Sequence, residues 1–145
     1  MSQFVAPHSI TALIAYALWA IALVLALAIV RTTAVMRGRA QPTSFTAGVP
    51  HGTDAYWRLN RAHLNTLENL PIFAAIVLSG WVVGMETATF NRLAVIVVGA
   101  RILQSLIHLV SGSVAAVTSR FMAFAVQLVC EIWMAILVLH GGAVF

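Results

Sequence analysis

The sequence contains very little charge, and this scarcity excludes a water-soluble domain. Of its 145 residues only 8% are charged, whereas 61% are hydrophobic. Soluble domains usually carry about 25% charged residues, which provide most of their hydrated surface. So few charges would leave the surface of a soluble monomer largely apolar. The composition therefore predicts that the lipid bilayer is the solvent of this chain.

Lysine is absent, and the net charge of +4 comes from eight arginines against four acidic residues. These arginines are too few and too scattered to form the basic face of a nucleic-acid-binding protein. In a membrane protein, basic residues more often indicate which loops lie in the cytoplasm. We therefore expect a bilayer protein that has no nucleic-acid partner.

Cysteine is nearly absent, since Cys130 is the only one and lies in a hydrophobic run. An internal disulfide is excluded, and a buried thiol is expected. The five histidines are not spaced three or four residues apart, so no metal site is predicted. The sequence also has no serine–histidine–acid pattern, phosphate loop or dinucleotide fingerprint.

Long hydrophobic runs predict four transmembrane helices within a single domain, residues 1–145. The first run, residues 10–30, has no charge and is longer than the core of a signal peptide, so we expect it to be retained. Glycines and prolines in residues 37–53 indicate a loop, and Asp54 is the expected N-cap after it. The predicted helices cover about residues 8–36, 54–84, 91–109 and 118–140, joined by turns at residues 85–90 and 111–117.

The distribution of arginines predicts the orientation of the chain in the membrane. Five flank the first loop, one flanks the third, and only Arg92 lies beside the second. The positive-inside rule then places loops 1 and 3 in the cytoplasm and both termini outside. In a bacterium the membrane would be the inner one. The arginines of loops 1 and 3 are Arg31, Arg37, Arg39, Arg58, Arg61 and Arg120.

Polar side chains form a stripe on each of the last three predicted helices. At about 100° per residue, the members of each set share one helix face. An ionised side chain at mid-bilayer costs about 2.5–3.5 kcal/mol on insertion scales, so a stripe should face another stripe, a neighbouring subunit or water. The three stripes are Arg58, Arg61, Asn65, Glu68 and Asn69; Arg101, Gln104, Ser105 and His108; and Arg120, Gln127 and Glu131.

Two arginines in these stripes each have two interpretations. Arg101 lies near the membrane middle, where it either pairs with Glu131, Glu68 or both in an ionic clamp, or contacts a ligand directly. Arg120 is expected in the first turn of helix 4, at the cytoplasmic rim. It is either an interface arginine that extends to water, or a group that, together with the helix N-terminus, favours an anion such as a thiolate.

The segment 61–69 reads Arg-Ala-His-Leu-Asn-Thr-Leu-Glu-Asn and is followed by Pro71 and Phe73. It resembles helix 2 of the membrane-associated proteins in eicosanoid and glutathione metabolism, the MAPEG family, and is very similar to the microsomal glutathione transferases. The resemblance extends over essentially the whole chain. It implies a homotrimer of four-helix subunits that binds glutathione between subunits, near the cytoplasmic side.

The resemblance also implies roles for individual residues. Glutathione would be a co-substrate, with no metal involved, and Arg120 would be the catalytic residue that stabilises its thiolate. A lipophilic second substrate would arrive from the bilayer. The implied glutathione-binding residues are Arg31, Arg61, Asn65, Glu68, Arg101, Gln104 and His108.

The chain departs from the eicosanoid-forming members at three positions. His108 and Phe124 stand where those members have tyrosines, and Phe121 replaces a serine of the prostaglandin-forming member. The leading hypothesis is a glutathione-dependent transferase or peroxidase that acts on lipophilic electrophiles, including lipid hydroperoxides. The departures motivate an alternative, a non-catalytic membrane protein of the same fold. A further alternative is a small transporter in which Glu131 or Arg101 moves ions or drugs.

Overall fold

The computed structural model describes residues 7–46, 52–85 and 87–141. These residues form four α-helices and a short 3₁₀ helix, and they contain no strand. The helices are α1 (His8–Met36), α2 (Asp54–Val82), α3 (Ala88–Val110) and α4 (Val114–Leu139), and the 3₁₀ helix (Pro42–Ser44) lies between α1 and α2. The all-α, four-helix membrane bundle expected from the sequence is confirmed.

Three of the helices, α1, α3 and α4, are long and apolar enough to cross a membrane. The shortest of them, α3, has 23 residues, which at about 1.5 Å per residue exceeds the hydrocarbon thickness of about 30 Å. Large apolar side chains such as Leu18, Leu103 and Ile132 remain more than half exposed on the outer faces. In water such surfaces would aggregate, whereas in a bilayer they contact lipid. The chain is therefore an integral membrane protein.

Short hydroxyl side chains fix where three helices begin. In each case the hydroxyl oxygen accepts a hydrogen bond from the backbone N–H three residues later, at 3.2–3.3 Å. Such N-caps satisfy backbone donors that have no partner inside the helix. The capping residues are Thr53 for α2, Thr87 for α3 and Ser113 for α4.

Several helix ends differ from their predicted positions, and the caps explain where the helices begin. Thr53, not Asp54, caps α2, so Asp54 is its first helical residue. The helix α3 begins at residue 88 instead of 91, and α4 begins at residue 114 instead of 118. At the other end of α2, Gly84 has a φ of 74° and the N–H of Met85 donates to the carbonyl of Gly80, so the helix ends at residue 82 instead of 84.

The central helix of the bundle is α3, which packs against the three others and most extensively against α4. The loop between α3 and α4 comprises only residues 111–113. Hydrogen bonds from the first half of α1 attach this helix to α2 and α3. The N–H of Ser9 donates to Oδ1 of Asn91 at 3.0 Å, and the hydroxyl of Tyr16 donates to the backbone carbonyl of Thr66 at 3.1 Å.

Two apolar clusters stabilise the bundle at different heights. The larger contains Tyr16, Phe73, Phe90 and Met134, all fully buried, and also Cys130. The smaller one lies nearer the C-terminal end of α1 and consists of Leu23, Leu27, Tyr56 and Leu59. On α2 the polar segment 65–69 falls between the residues of the two clusters. The polar side chains therefore form a layer that has apolar packing on both sides.

Close packing of α2 against α3 in the larger cluster depends on the absence of a side chain at Gly80. A Cβ atom at this position would lie 2.6 Å from Cζ of Phe90, which is well inside van der Waals contact. Phe90 is completely buried within this cluster, so a shift of its ring would disturb close-packed neighbours.

We therefore predict that Gly80→Ala lowers stability by about 1–3 kcal/mol, the usual effect of overpacking a core. Gly99→Ala is the matched control, because Gly99 also lies within a helix but has no atom within 4 Å of the added Cβ. Thermal unfolding in detergent measures both variants. Equal melting temperatures for the two would contradict the packing argument.

Candidate functional site

Arg101 lies at the centre of the polar layer and is only 2% exposed. Its Nη1 donates to the backbone carbonyl of Asn65 at 3.1 Å and to Oε1 of Gln104 at 2.8 Å. The guanidinium carbon lies 5.9 Å from the ring centroid of Tyr16, which places the cation near an aromatic face. Nε and Nη2 have no hydrogen-bond partner within the described part of the chain. Part of this buried cation therefore remains available to a ligand.

Gln104 and Gln127 connect α3 to α4 beside Arg101. Oε1 of Gln104 accepts from Arg101 and also from Nε2 of Gln127, at 3.1 Å. Nε2 of Gln127 makes a second bond to the backbone carbonyl of Ala123 on its own helix, at 3.1 Å. Both donor positions of this amide are thus used, whereas its Oε1 has no partner among the described residues.

The carboxyl group of Glu131 accepts a hydrogen bond from the side-chain amide of Asn69. Nδ2 of Asn69 donates to Oε1 of Glu131 at 2.6 Å, and both residues are buried. Oε2 of the same carboxyl has no partner among the residues that the structure describes. The expected clamp, a direct bond from Arg101 to Glu131 or Glu68, is not formed among these residues: Nη1 of Arg101 donates to neutral acceptors, and Oε1 of Glu131 accepts from Asn69.

A second chain of hydrogen bonds passes through His108. Nε2 of its ring lies 3.1 Å from the side-chain amide of Asn65, and Nδ1 lies 2.9 Å from Nη1 of Arg120. This chain joins α2, α3 and α4 on the side of the polar layer that faces the α3–α4 loop.

The position of Arg120 differs from the expected one. Because α4 begins at Val114, Arg120 lies in the second turn and not in the first. The field of a helix N-terminus falls off within the first turn, so it contributes little at this guanidinium. The local environment of Arg120 is instead set by the ring of His108.

A cavity of about 350 Å³ opens beside this layer, between α2, α3 and α4. Its wall combines two acidic or basic side chains, three amides and three apolar side chains, as is usual for a small-molecule pocket. The lining residues are Asn65, Glu68, Asn69, Ile72, Arg101, Gln104, Phe124 and Leu128.

The structure brings most of the predicted site residues together. Asn65, Glu68, Arg101 and Gln104 line the cavity, and His108 and Arg120 are linked to it through Asn65. The remaining two, Arg61 and Arg31, do not line it.

These two arginines lie in different places. Arg61 is exposed on α2, one helical turn before Asn65. Arg31 lies beside the smaller cluster, where its Nε donates to the hydroxyl of Tyr56 at 2.8 Å and its guanidinium carbon lies 5.3 Å from the ring centroid of Phe45. Arg31 therefore supports the end of α1 and the following loop.

Other residues of the site were not among those predicted from the sequence. Asn69 belongs to the predicted stripe of α2, but its contact with Glu131 depends on the relative orientation of α2 and α4. Tyr16 is not among the predicted residues. Its hydroxyl is the signal that could identify it, because a tyrosine within an apolar run needs a hydrogen-bond partner. Ile72 and Leu128 could not be identified from the sequence as lining the cavity, because an apolar residue in a membrane helix looks the same whether it faces a cavity or lipid.

No group of three histidine, cysteine or acidic side chains that could hold a metal occurs in residues 7–46, 52–85 and 87–141. Cys130 is buried against the larger apolar cluster. The chemistry of the cavity therefore depends on guanidinium, amide, imidazole and carboxyl groups.

The bond between Asn69 and Glu131 should contribute measurably to stability. We predict a coupling of about 0.5–2 kcal/mol in a double-mutant cycle of Asn69→Ala and Glu131→Ala, the range found for interhelical hydrogen bonds in membranes. Unfolding by denaturant in mixed micelles gives the four free energies. Glu131→Gln serves as a control that keeps an acceptor oxygen for Asn69. Strictly additive effects of the two alanine substitutions would show that the bond stabilises nothing.

Comparison with known proteins agrees with this architecture. The MAPEG family model matches residues 9–140, which covers all four helices and the polar layer. Searches of curated proteins and of solved structures gave no match. Since the match covers nearly the whole chain, the protein belongs to the MAPEG family.

Proposed function

We propose that this protein is a membrane-bound, glutathione-dependent transferase or peroxidase that acts on lipophilic electrophiles. The observation that supports this most strongly is the cavity between α2, α3 and α4. Its lining combines the buried Arg101, whose Nε and Nη2 have no partner among the described residues, with Glu68, Asn65 and apolar side chains. The family includes glutathione transferases among its members, which agrees with the chemistry of this wall.

The groups on the wall complement those of glutathione. The tripeptide carries two carboxylates, an ammonium group, two amides and a thiol. Arginine binds a carboxylate through paired N–H donors, so Arg101 and the nearby Arg61 suit the carboxylates. Glu68 suits the ammonium group, and the amide of Asn65 suits the peptide bonds. These interactions are strengthened where little water competes for them.

The thiol is proposed to be activated by Arg120. A thiolate is the reactive nucleophile, and a nearby guanidinium increases its population at neutral pH. In the conjugation reaction the sulfur attacks an electrophilic carbon. A sulfur–carbon bond forms, and the leaving group departs with its electron pair. The second substrate enters from the bilayer past apolar side chains such as Phe121, which is 65% exposed, and Phe124.

Assembly is part of the proposal, because the open side of the cavity needs a cover. Arg61 and Glu68 are exposed on α2, next to exposed apolar residues such as Leu64 and Leu67. Charges that face lipid are costly, so this face of α2 is expected to pack against another copy of the chain. The family resemblance implies that three copies associate.

We predict that the protein purified in mild detergent has three times the chain mass of 15.6 kDa, measured by light scattering with the detergent contribution removed. Leu64→Trp, on the exposed face of α2, should shift the population to smaller species by overpacking the contact. Leu139→Trp, at the exposed end of α4, should leave the mass unchanged. A monomer in the unaltered protein would contradict the proposed assembly.

The chemical proposal predicts a glutathione thiolate on the enzyme, visible by ultraviolet difference absorbance at saturating glutathione. Arg120→Ala should lower the thiolate signal about tenfold, because a hydrogen bond to a charged group contributes about 1.5–3 kcal/mol. Arg39→Ala, which changes an exposed arginine outside the helices, is the matched control and should leave the signal intact. No binding at millimolar glutathione would reject the enzyme proposal.

One observation favours a second candidate, a non-catalytic protein that binds glutathione or a related anion. Phe124 lines the cavity with an apolar ring where a hydroxyl would otherwise reach the thiol. In the same absorbance experiment, bound glutathione that stays protonated would support this candidate over the transferase.

A further inference from the structure

We propose that His108 is the positioning residue of Arg120, which it holds in place through an unprotonated ring nitrogen while Asn65 fixes the orientation of the ring. This inference rests on the proposed function, in which Arg120 stabilises the glutathione thiolate. It also gives His108 a role other than direct contact with glutathione.

Both ring nitrogens of His108 are already used within the subunit. Nδ1 lies 2.9 Å from Nη1 of Arg120, and Nε2 lies 3.1 Å from the side-chain amide of Asn65. The side chain is half-buried and is not among the residues that line the cavity. No ring nitrogen is therefore left to bind a ligand unless one of these bonds breaks.

The donors and acceptors determine the protonation state of the ring. A guanidinium has only N–H donors, so Nδ1 must accept and carries no proton. The single proton of the neutral ring is then on Nε2, which becomes a donor. Its partner on Asn65 must be the amide oxygen, and a 180° turn of the Asn65 amide, which leaves its shape unchanged, places that oxygen there. The assigned bonds thus run from Arg120 to His108 and from His108 to Asn65.

Arg120 needs such a partner more than an arginine in an ion pair does. Fixing a long, flexible side chain in one position costs rotamer entropy, which a hydrogen bond offsets. Within the described residues its guanidinium donates to the neutral ring of His108, which does not cancel its charge as a carboxylate would. A neutral acceptor holds one N–H of the guanidinium and leaves the full positive charge and the other N–H groups for a thiolate.

A tyrosine at position 108, as in the eicosanoid-forming members that the chain resembles, would behave differently. A phenol has its own proton to donate, and it can direct this proton to a ligand. Neutral imidazole with a proton on Nε2 directs that proton to Asn65 instead. His108 therefore converts a ligand-contacting position into one that supports the arginine next to it.

The experiment uses the intact protein in detergent, at saturating glutathione, with a chloronitrobenzene as the electrophile. We expect His108→Phe to lower both the thiolate absorbance and kcat about tenfold, since one hydrogen bond to a charged group is lost, with the KM for glutathione changed much less. His108→Gln, whose Oε1 can accept from Arg120, should recover part of both signals. His140→Phe, which alters an exposed histidine at the far end of α4, is the control.

Nitrogen NMR of histidine-labelled protein provides a test that does not depend on catalysis. We expect the resonances that disappear in His108→Phe to be those of a neutral ring protonated on Nε2. A proton on Nδ1 would overturn the assignment. So would His108→Phe protein that folds, binds glutathione and keeps the full thiolate signal. If the unaltered protein binds no glutathione, the proposed function fails first, and the role of His108 fails with it.

Discussion

The structure depends on one constraint, the burial of the Arg101 guanidinium between transmembrane helices. A cation there cannot be hydrated by bulk water, so acceptors must come from the protein or a ligand. Two of these acceptors come from α2, as the backbone carbonyl of Asn65, and from α3, as the side chain of Gln104. Gln127 on α4 donates to Gln104 and so holds it in place. The polar layer also fixes the rotation of α3 and α4 about their axes, because any other rotation would turn these groups toward lipid.

The hydrogen bonds of the polar layer are incomplete among the described residues, and this links the fold to the proposed activity. Nε and Nη2 of Arg101, Oε1 of Gln127 and Oε2 of Glu131 have no partners among the described residues. Buried groups of this kind are normally satisfied, so water or a polar ligand is required. Of these three residues only Arg101 lines the adjacent cavity, where a carboxylate of the proposed ligand would accept from its N–H groups. The buried cation that makes the bundle costly to fold is therefore also the group on which the proposed binding depends.

The sequence predicts some of this and leaves the rest open for physical reasons. Hydrophobic runs predict four helices, and the 3.6-residue period predicts which side chains share a face. A shared face does not identify a partner on another helix, so the bonds from Asn69 to Glu131 and from Gln127 to Gln104 could not be assigned. The starts of α3 and α4 were misplaced because Thr87 and Ser113 lie in short turns, where several residues could serve as caps.

The division of roles between helices explains where the chain can vary. On α2, Asn65 contributes both its backbone carbonyl to Arg101 and its side chain to His108, so a change there would disturb two parts of the layer at once. Position 108 on α3 contacts two neighbours, Arg120 and Asn65, through its side chain alone. A tyrosine can be exchanged for histidine at position 108 if the new side chain satisfies Arg120 and Asn65, and His108 does satisfy both. The segment that resembles the family signature accordingly lies on α2, whereas the departures at His108, Phe121 and Phe124 lie on α3 and α4, around Arg120.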